Sequence, residues 1–459
     1  MSVRDQFFNQ EETTAKNEYS SILSLIQAKI TSKYAELISN SSAASSKTQL
    51  IDLIRKTISD EHINIDGYEI NELCNRIYED MAGSSFLNKY IYETPNVEEV
   101  NINRWDDITV TYAGGKPQKI PERFSSAQQA VDIIKRMLQA QNLTIDNSTP
   151  SVLSYLSNGV RICANIAPVV SEDAAVSASI RIVKTENVNM DMLLQYGTAT
   201  EEMVDFLEAC IKHYVPVCIS GSVGAGKTTT LAAMLGCAKN DDRIVTVEEG
   251  SREFSLLKRD KNGKIINNVL SKLTRYSDND KLIIDQEDLL EKCLRENPDI
   301  MGIGEMRSAE AYTVAEAART GTATYTTTHA SNAMDTYKRL MELSYKKYPM
   351  GVDFLMEQMV DAFPIIVHQK RFPDGSRRIV EIYEGKEYDS EKHRIVGQML
   401  YQYVVVDNIE DENGNIKEVI GHFEKKNEMS EKLFNKFLQN GAPLSFLRRF
   451  AKIDKEAIK

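Results

Sequence analysis

The sequence predicts an α/β fold, a parallel sheet covered on both faces by helices, preceded by a small α+β domain and a helical N-terminal extension. Three observations carry that expectation. Short apolar runs at Val215 to Ile219, Arg243 to Val247, Asp299 to Ile303 and Thr322 to Thr328 alternate with segments of helical period, as a sheet with crossover helices requires. The first of these runs leads directly into a glycine-rich turn and another helical stretch. Ahead of them, near Val97, the apolar spacing changes from three- and four-residue steps to alternation.

The 459 residues are 42% apolar, enough for a large core divided among two or three domains. No stretch approaches the roughly 18 uninterrupted apolar residues of a membrane span, and the opening residues are polar and acidic, so a cytoplasmic location is expected. The six cysteines, Cys74, Cys163, Cys210, Cys218, Cys237 and Cys293, form no C-x-x-C pair and read as buried, reduced thiols. A net charge of −12 argues against general nucleic-acid affinity, while leaving room for a local basic channel.

From about Glu11 to Ile77, Ile22, Leu23, Leu25 and Ile26, then Ile51, Leu53, Ile54 and Ile58, mark a helical domain, assigned to residues 1–78. The Ser-rich stretch Ser39 to Ser46 reads as a flexible loop between helices. Residues 79–185 form the expected α+β domain. Val97, Val100 and Ile102, then Ile108, Val110 and Tyr112, alternate with polar residues, with Gly114-Gly115 supplying a turn. Ala130, Ile133, Ile134, Met137 and Leu138 follow as one helix face, then strands at Arg161 to Ile166 and Val176 to Val183.

Residues 186–459 open with Thr198-x-x-Glu201, read as a capping box for a helix bearing Met203, Phe206, Leu207, Cys210 and Ile211. The tail carries hairpin signals at Arg371 to Gly375 and Asp411 to Gly414, then a closing helix. Its role is not legible from the residues.

The sharpest chemical signal is Gly221-Ser222-Val223-Gly224-Ala225-Gly226-Lys227-Thr228, a complete G-x-x-x-x-G-K-[ST] pattern between an expected strand and an expected helix. Glycines let the backbone turn tightly with its amides aimed at phosphate oxygens. The following helix adds its positive dipole end, Lys227 reaches the outer phosphates, and the Thr228 hydroxyl suits magnesium. Thr229 continues this nucleotide-binding set. Hydrolysis also needs a magnesium-side carboxylate and a group that activates water, normally at neighbouring strand ends. Two runs end that way, one in Glu248-Glu249 and one at Glu305. His329 ends a third, hydroxyl-rich run.

Together these residues resemble the type II/IV secretion and type IV pilus ATPases, in particular the CpaF-like motors of tight-adherence pili. The likeness begins at Tyr78 to Asn103 and continues through Ile145 to Pro150, Gly159-Val-Arg161 and Ser179 to Lys184. Val245 to Glu249 resembles the family's acidic box, Leu294 to Arg307 its Walker B region, and Thr320 to Ala330 its histidine box. Asp374 to Arg378 through Glu381-Ile382 has a counterpart in the tail.

The resemblance implies a RecA-like P-loop NTPase core, a PAS-like α+β domain, and the use of ATP with Mg2+. It makes Glu248 the glutamate that polarises water, Glu305 the Walker B acid beside magnesium, and His329 a γ-phosphate sensor. Arg161, Arg181 and Arg307 become candidate catalytic arginines. A homo-hexamer at the cytoplasmic membrane is implied, working on a polytopic inner-membrane platform protein with no direct nucleic-acid binding. Two features depart from the family: Glu249 stands where Asp is more usual, and Lys258 to Asp280 has no clear counterpart. A non-hydrolysing nucleotide switch and a nucleic-acid motor are the competing classes.

Overall fold

A computed structural model describes residues 19, 22, 23, 25, 26, 28–30, 44–63, 69–81, 83–113, 115, 117–141, 143–156, 159–182, 188–250, 252–275 and 282–451. The chain divides into two compact units, Met1–Val183 and Lys184–Lys459.

In the first unit, the helices Ala44–Asp60 and Ile70–Met81 close Leu50, Ile54, Ile58, Leu73, Cys74 and Ile77 around Leu23, Ile26 and Ile30. The buried Tyr19 hydroxyl donates to Asp80 at 2.6 Å, so that core's polar tip is satisfied. Ala44 to Ser46, expected in a loop, form the first turn of a helix; the rest of that Ser-rich stretch lies outside the described residues.

Six antiparallel strands follow: β1 (Val97–Arg104), β2 (Asp107–Tyr112), β3 (Gln118–Lys119), β4 (Ser151–Leu156), β5 (Val160–Ile166) and β6 (Val176–Ile182), ordered β3-β2-β1-β6-β5-β4. The helix Ala127–Gln139, capped by Ser126, packs its predicted apolar face into the same core. The β1–β2 turn is Trp105-Asp106, which pairs Arg104 with Asp107. Gly115 lies where the chain turns from β2 into the antiparallel β3, and Gly114 lies outside the described residues.

The second unit is an α/β fold on one nine-stranded sheet. Its strands are β7 (Val217–Gly221), β8 (Arg243–Glu248), β9 (Asn268–Leu273), β10 (Ile300–Ile303), β11 (Ala323–Thr328), β12 (Ile365–Arg371), β13 (Arg377–Asp389), β14 (Arg394–Glu410) and β15 (Ile416–Lys425). The order is β15-β14-β13-β12-β7-β11-β10-β8-β9. From β12 to β9 all neighbours are parallel; from β12 to β15 they are antiparallel. An intervening strand, β11, separates β7 from β10, the RecA-like arrangement. Every residue of β7, β10 and β11 is buried, as a sheet covered on both faces demands.

The threonines of β11 are compatible with that burial because their hydroxyls find carbonyls. Thr327 donates to Gly304 at 2.7 Å and Thr328 to Met306 at 3.0 Å, tying β11 to the segment leaving β10. The helix Glu201–Lys212 is capped by Thr200, whose hydroxyl accepts from the Met203 amide, and not by Thr198. Thr198 is buried two residues earlier, where its carbonyl receives the Ile379 amide of β13. The charged segment with no family counterpart supplies β9, an edge strand whose Lys272 pairs with Glu296 at 2.7 Å.

All six cysteines are free thiols, but Cys163 is exposed and Cys237 half-buried, against the expectation of burial. Cys163 sits on β5, where alternation sends it to the face opposite Ile162 and Ala164. No helix among the described residues is long and apolar enough to cross a membrane.

Candidate functional site

Parallel strands place their functional groups at carboxyl ends, and β7, β8, β10 and β11 all end on the same edge of the sheet. Gly221 closes β7 and the helix Lys227–Gly236 begins six residues later, so the glycine-rich turn is the whole connection. Two of its glycines are obligatory. At Gly226, the helix N-cap, φ is +92°, a left-handed value that disfavours side chains. At Gly221 a Cβ would lie 2.0 Å from the Gln369 carbonyl oxygen of the adjacent β12.

Within the turn Ala225 is buried, Gly224 half-buried, and Ser222 and Val223 exposed, Val223 to 76%. Lys227 is only 7% exposed, and its Nζ donates to the carbonyls of Gly221 at 3.2 Å and Ser222 at 3.1 Å. The ammonium therefore lies in the concavity of its own loop. Thr228 is half-buried in the first helical turn, Thr229 faces solvent, and Thr230 is buried with its hydroxyl on Gln369 Oε1.

Lys227 also connects the loop to the other strand ends. Its Nζ is 3.3 Å from His329 Nδ1, while His329 Nε2 is 2.9 Å from Glu305 Oε1. Burial, then the Lys227 charge, lowers the His329 pKa, with Glu305 working in the other direction. A neutral ring can accept from Lys227 through Nδ1 while its Nε2 stands beside the Glu305 carboxylate. Glu305 then meets Arg307, whose Nη2 donates at 2.7 Å, and Arg307 also bonds Glu249. Burial pushes the Glu305 carboxyl upward, but Arg307, His329 and Lys227 outweigh it and hold its pKa below the usual range.

Glu248 has different surroundings. It is 2% exposed, and one oxygen accepts from the Glu253 and Phe254 amides, the other from the Thr246 hydroxyl at 3.1 Å. Burial raises its pKa to about 7, against these hydrogen bonds. Two acids on adjacent strands are thus driven in opposite directions.

Arg161 and Arg181 belong to the first unit. They are cross-strand partners on β5 and β6, with Arg161 half-buried 5.8 Å from the Tyr155 ring centre and Arg181 exposed. Like charges directly opposite are unfavourable in a sheet.

The oxygen donors Thr228 and Glu305 suit magnesium, which takes one or two protein ligands and completes its octahedron with water and substrate phosphates. No group of three or more His, Cys, Asp or Glu among the described residues forms a protein-only metal site. The glycine turn, the buried lysine and this pair of hard donors fit a nucleotide with its magnesium.

Residues 80–400 match the model of the family described as type II/IV secretion system protein. The chain belongs to that family. Among type II/IV secretion relatives and other similar proteins, an uncharacterized Methanocaldococcus jannaschii protein is 26% identical over 276 residues, covering 60% of this chain and 47% of that one. The chain thus spans about half the length of that relative. The type IV secretion system protein VirB11 of Bartonella quintana is 25% identical over 335 residues, covering 64% of this chain and 89% of that protein. Among solved structures, the Legionella pneumophila ATPase DotB superimposes with a TM-score of 0.46 at 22% identity, covering 64% of this chain and 78% of that chain.

Gln369 of β12 and Glu310 escaped sequence reasoning, while Arg371 and Arg377 lay in stretches noted only as a hairpin signal and a family counterpart, with no hint that they stand at the turn. The Glu310 carboxylate accepts from the Arg307 amide at 2.6 Å and the Ser308 amide at 2.7 Å, which fixes the backbone bearing Arg307. A local signal existed only for the β12–β13 hairpin, in the Pro-Asp-Gly turn, and nothing in it specified a neighbour more than a hundred residues away.

Proposed function

We propose that this chain is the ATP-hydrolysing motor subunit of a pilus-assembly or secretion machine, in the branch resembling tight-adherence pilus motors. The observation that carries the reading is the continuous contact from Lys227 through His329 to Glu305, which joins three strand ends of one sheet. A glycine-rich turn alone binds phosphate; joined to a carboxylate and an imidazole, it has the parts for splitting a phosphoanhydride.

In this reading the amides of Gly221 to Thr229 cradle the triphosphate, and Lys227 exchanges its two carbonyl partners for phosphate oxygens. Thr228 and Glu305 would hold magnesium, which would neutralise charge on the phosphate oxygens. Glu248, with a pKa near the working pH, accepts a proton from the attacking water. His329, hydrogen-bonded to Lys227 and 2.9 Å from the Glu305 carboxylate, reports whether the outer phosphate is present. Arg307 holds Glu305 ionised before magnesium arrives.

Arg161 and Arg181 stand opposed on neighbouring strands, and an anion shared between them would relieve their repulsion. We assign them the role of charge neutralisation at the leaving phosphate, which in comparable enzymes contributes about 10³-fold or more. The working assembly is a ring of six. Its helical domain is 1–78, its PAS-like domain 79–185 and its ATPase domain 186–459, and it acts at the cytoplasmic face on a polytopic membrane platform.

The test is phosphate release by the purified full-length protein with magnesium and ATP. Lys227→Ala should reduce turnover to background. Release near the wild-type rate in that variant would overturn the site assignment.

A further inference from the structure

The glycine-rich turn has a second wall that the nucleotide motifs do not include. β12 runs parallel beside β7, with Gln369 in register with Gly221, and at the end of β12 the chain reverses through residues 372–376 into β13. That hairpin lies against the back of the turn. Arg377 Nε donates to the Gly224 carbonyl at 2.9 Å, and Arg371 Nη1 is 3.6 Å from where a Gly224 side chain would begin. A side chain on Gly226 would meet Gln369 Nε2 at 3.1 Å and Arg377 Cδ at 3.3 Å.

The hairpin is itself braced. Phe372 and Ser376 close its turn, Asp374 accepts from the Ser376 amide and hydroxyl, and its other oxygen accepts from the Val419 amide of β15 at 2.9 Å. The Phe372 ring lies 5.7 Å from that of Tyr403 on β14. Arg377 is thus presented to the turn from a fixed support.

In a planar trans peptide the carbonyl and the following amide point in opposite directions. Arg377 draws the Gly224 carbonyl outward, so the Ala225 amide points inward. The structure bears this out, because the Ala225 amide donates to the Ser222 carbonyl at 3.3 Å, the same oxygen that receives Lys227 Nζ. Outside the turn stands Arg377; inside stand the Ala225 amide and the lysine.

We propose that Arg377 is a positioning residue for nucleotide: by fixing the Gly224–Ala225 peptide through its carbonyl, it keeps the Ala225 amide on the inner side of the turn before ATP arrives. The proposal rests on the nucleotide-binding reading above. Without the arginine, the turn must be ordered at the expense of binding. The loss therefore falls on affinity more than on the chemical step.

The experiment compares full-length wild type with Arg377→Gln, Arg377→Lys and Arg378→Gln. Steady-state kinetics gives KM for ATP and kcat, and calorimetry with magnesium and ADP gives Kd. Arg378 is the control, since its guanidinium donates to the Tyr196 carbonyl and to its own strand. Arg377→Gln should raise both KM and Kd about tenfold, as expected for losing a charge-assisted bond, with kcat within about threefold of wild type. Arg377→Lys should recover part of the affinity, and Arg378→Gln should change neither constant. Unchanged KM and Kd in Arg377→Gln, a fall in kcat alone, or an equal loss in Arg378→Gln would overturn the proposal. Wild type that takes up no ADP would remove the nucleotide reading as well.

Discussion

The pockets around Glu248 and Glu305 are built at the ends of neighbouring strands, β8 and β10, yet they do opposite things to a carboxyl group. Around Glu248 there are only neutral donors, two loop amides and a threonine hydroxyl, and burial dominates, lifting the pKa to about 7. Around Glu305 stand Arg307, His329 and Lys227, and their attraction outweighs burial. Titratable groups pushed apart in this way are candidates for acid–base roles. A carboxylate that stays ionised suits a cation, whereas one poised near neutrality suits proton transfer.

The contrast breaks most visibly at Glu248. Glu248→Gln keeps an oxygen for the Glu253 and Phe254 amides and an NH2 group for Thr246, so the loop should hold its shape. Turnover should fall by about 10²-fold or more while nucleotide affinity is retained, as expected for loss of a general base. Phosphate-release kinetics and calorimetry on the same preparation check this. Equal losses of affinity and turnover would make Glu248 a structural residue for the loop.

A smaller effect is expected at Glu305. Glu305→Gln should shift the magnesium concentration giving half-maximal activity upward by about tenfold, the scale seen when a metal's protein environment is weakened. Magnesium titration at fixed ATP measures it. An unchanged magnesium requirement would separate Glu305 from the cation.

How far these roles could be read beforehand follows from the range of the interactions. The glycine turn is a contiguous pattern whose strand and helix are its own neighbours, so both its structure and its place on the sheet were legible. The acids and His329 were found as strand ends, although their opposite electrostatics depend on side chains from other strands. Glu249, doubtful as a family departure, has a partner in Arg307 that lies 58 residues on. The helix cap moved from Thr198 to Thr200 because two threonines stand at that boundary and tertiary contact of Thr198 with β13 leaves Thr200 to cap. Least legible was the tail: Arg377 reaches Gly224 across 153 residues through the parallel pairing of β12 with β7.

The central claim, that Glu248 is the base of an ATP-hydrolysing site, is tested most directly by the pH dependence of kcat at saturating ATP and magnesium. Raising a carboxyl pKa to about 7 leaves the group protonated, and inactive as a base, below that pH. Glu305 and His329, both shifted downward from their ordinary values, titrate on the acid side of that midpoint. The account predicts an acidic limb with its midpoint near pH 7 in wild type, absent from the residual activity of Glu248→Gln. A flat profile through neutrality, or the same limb in that variant, would contradict it.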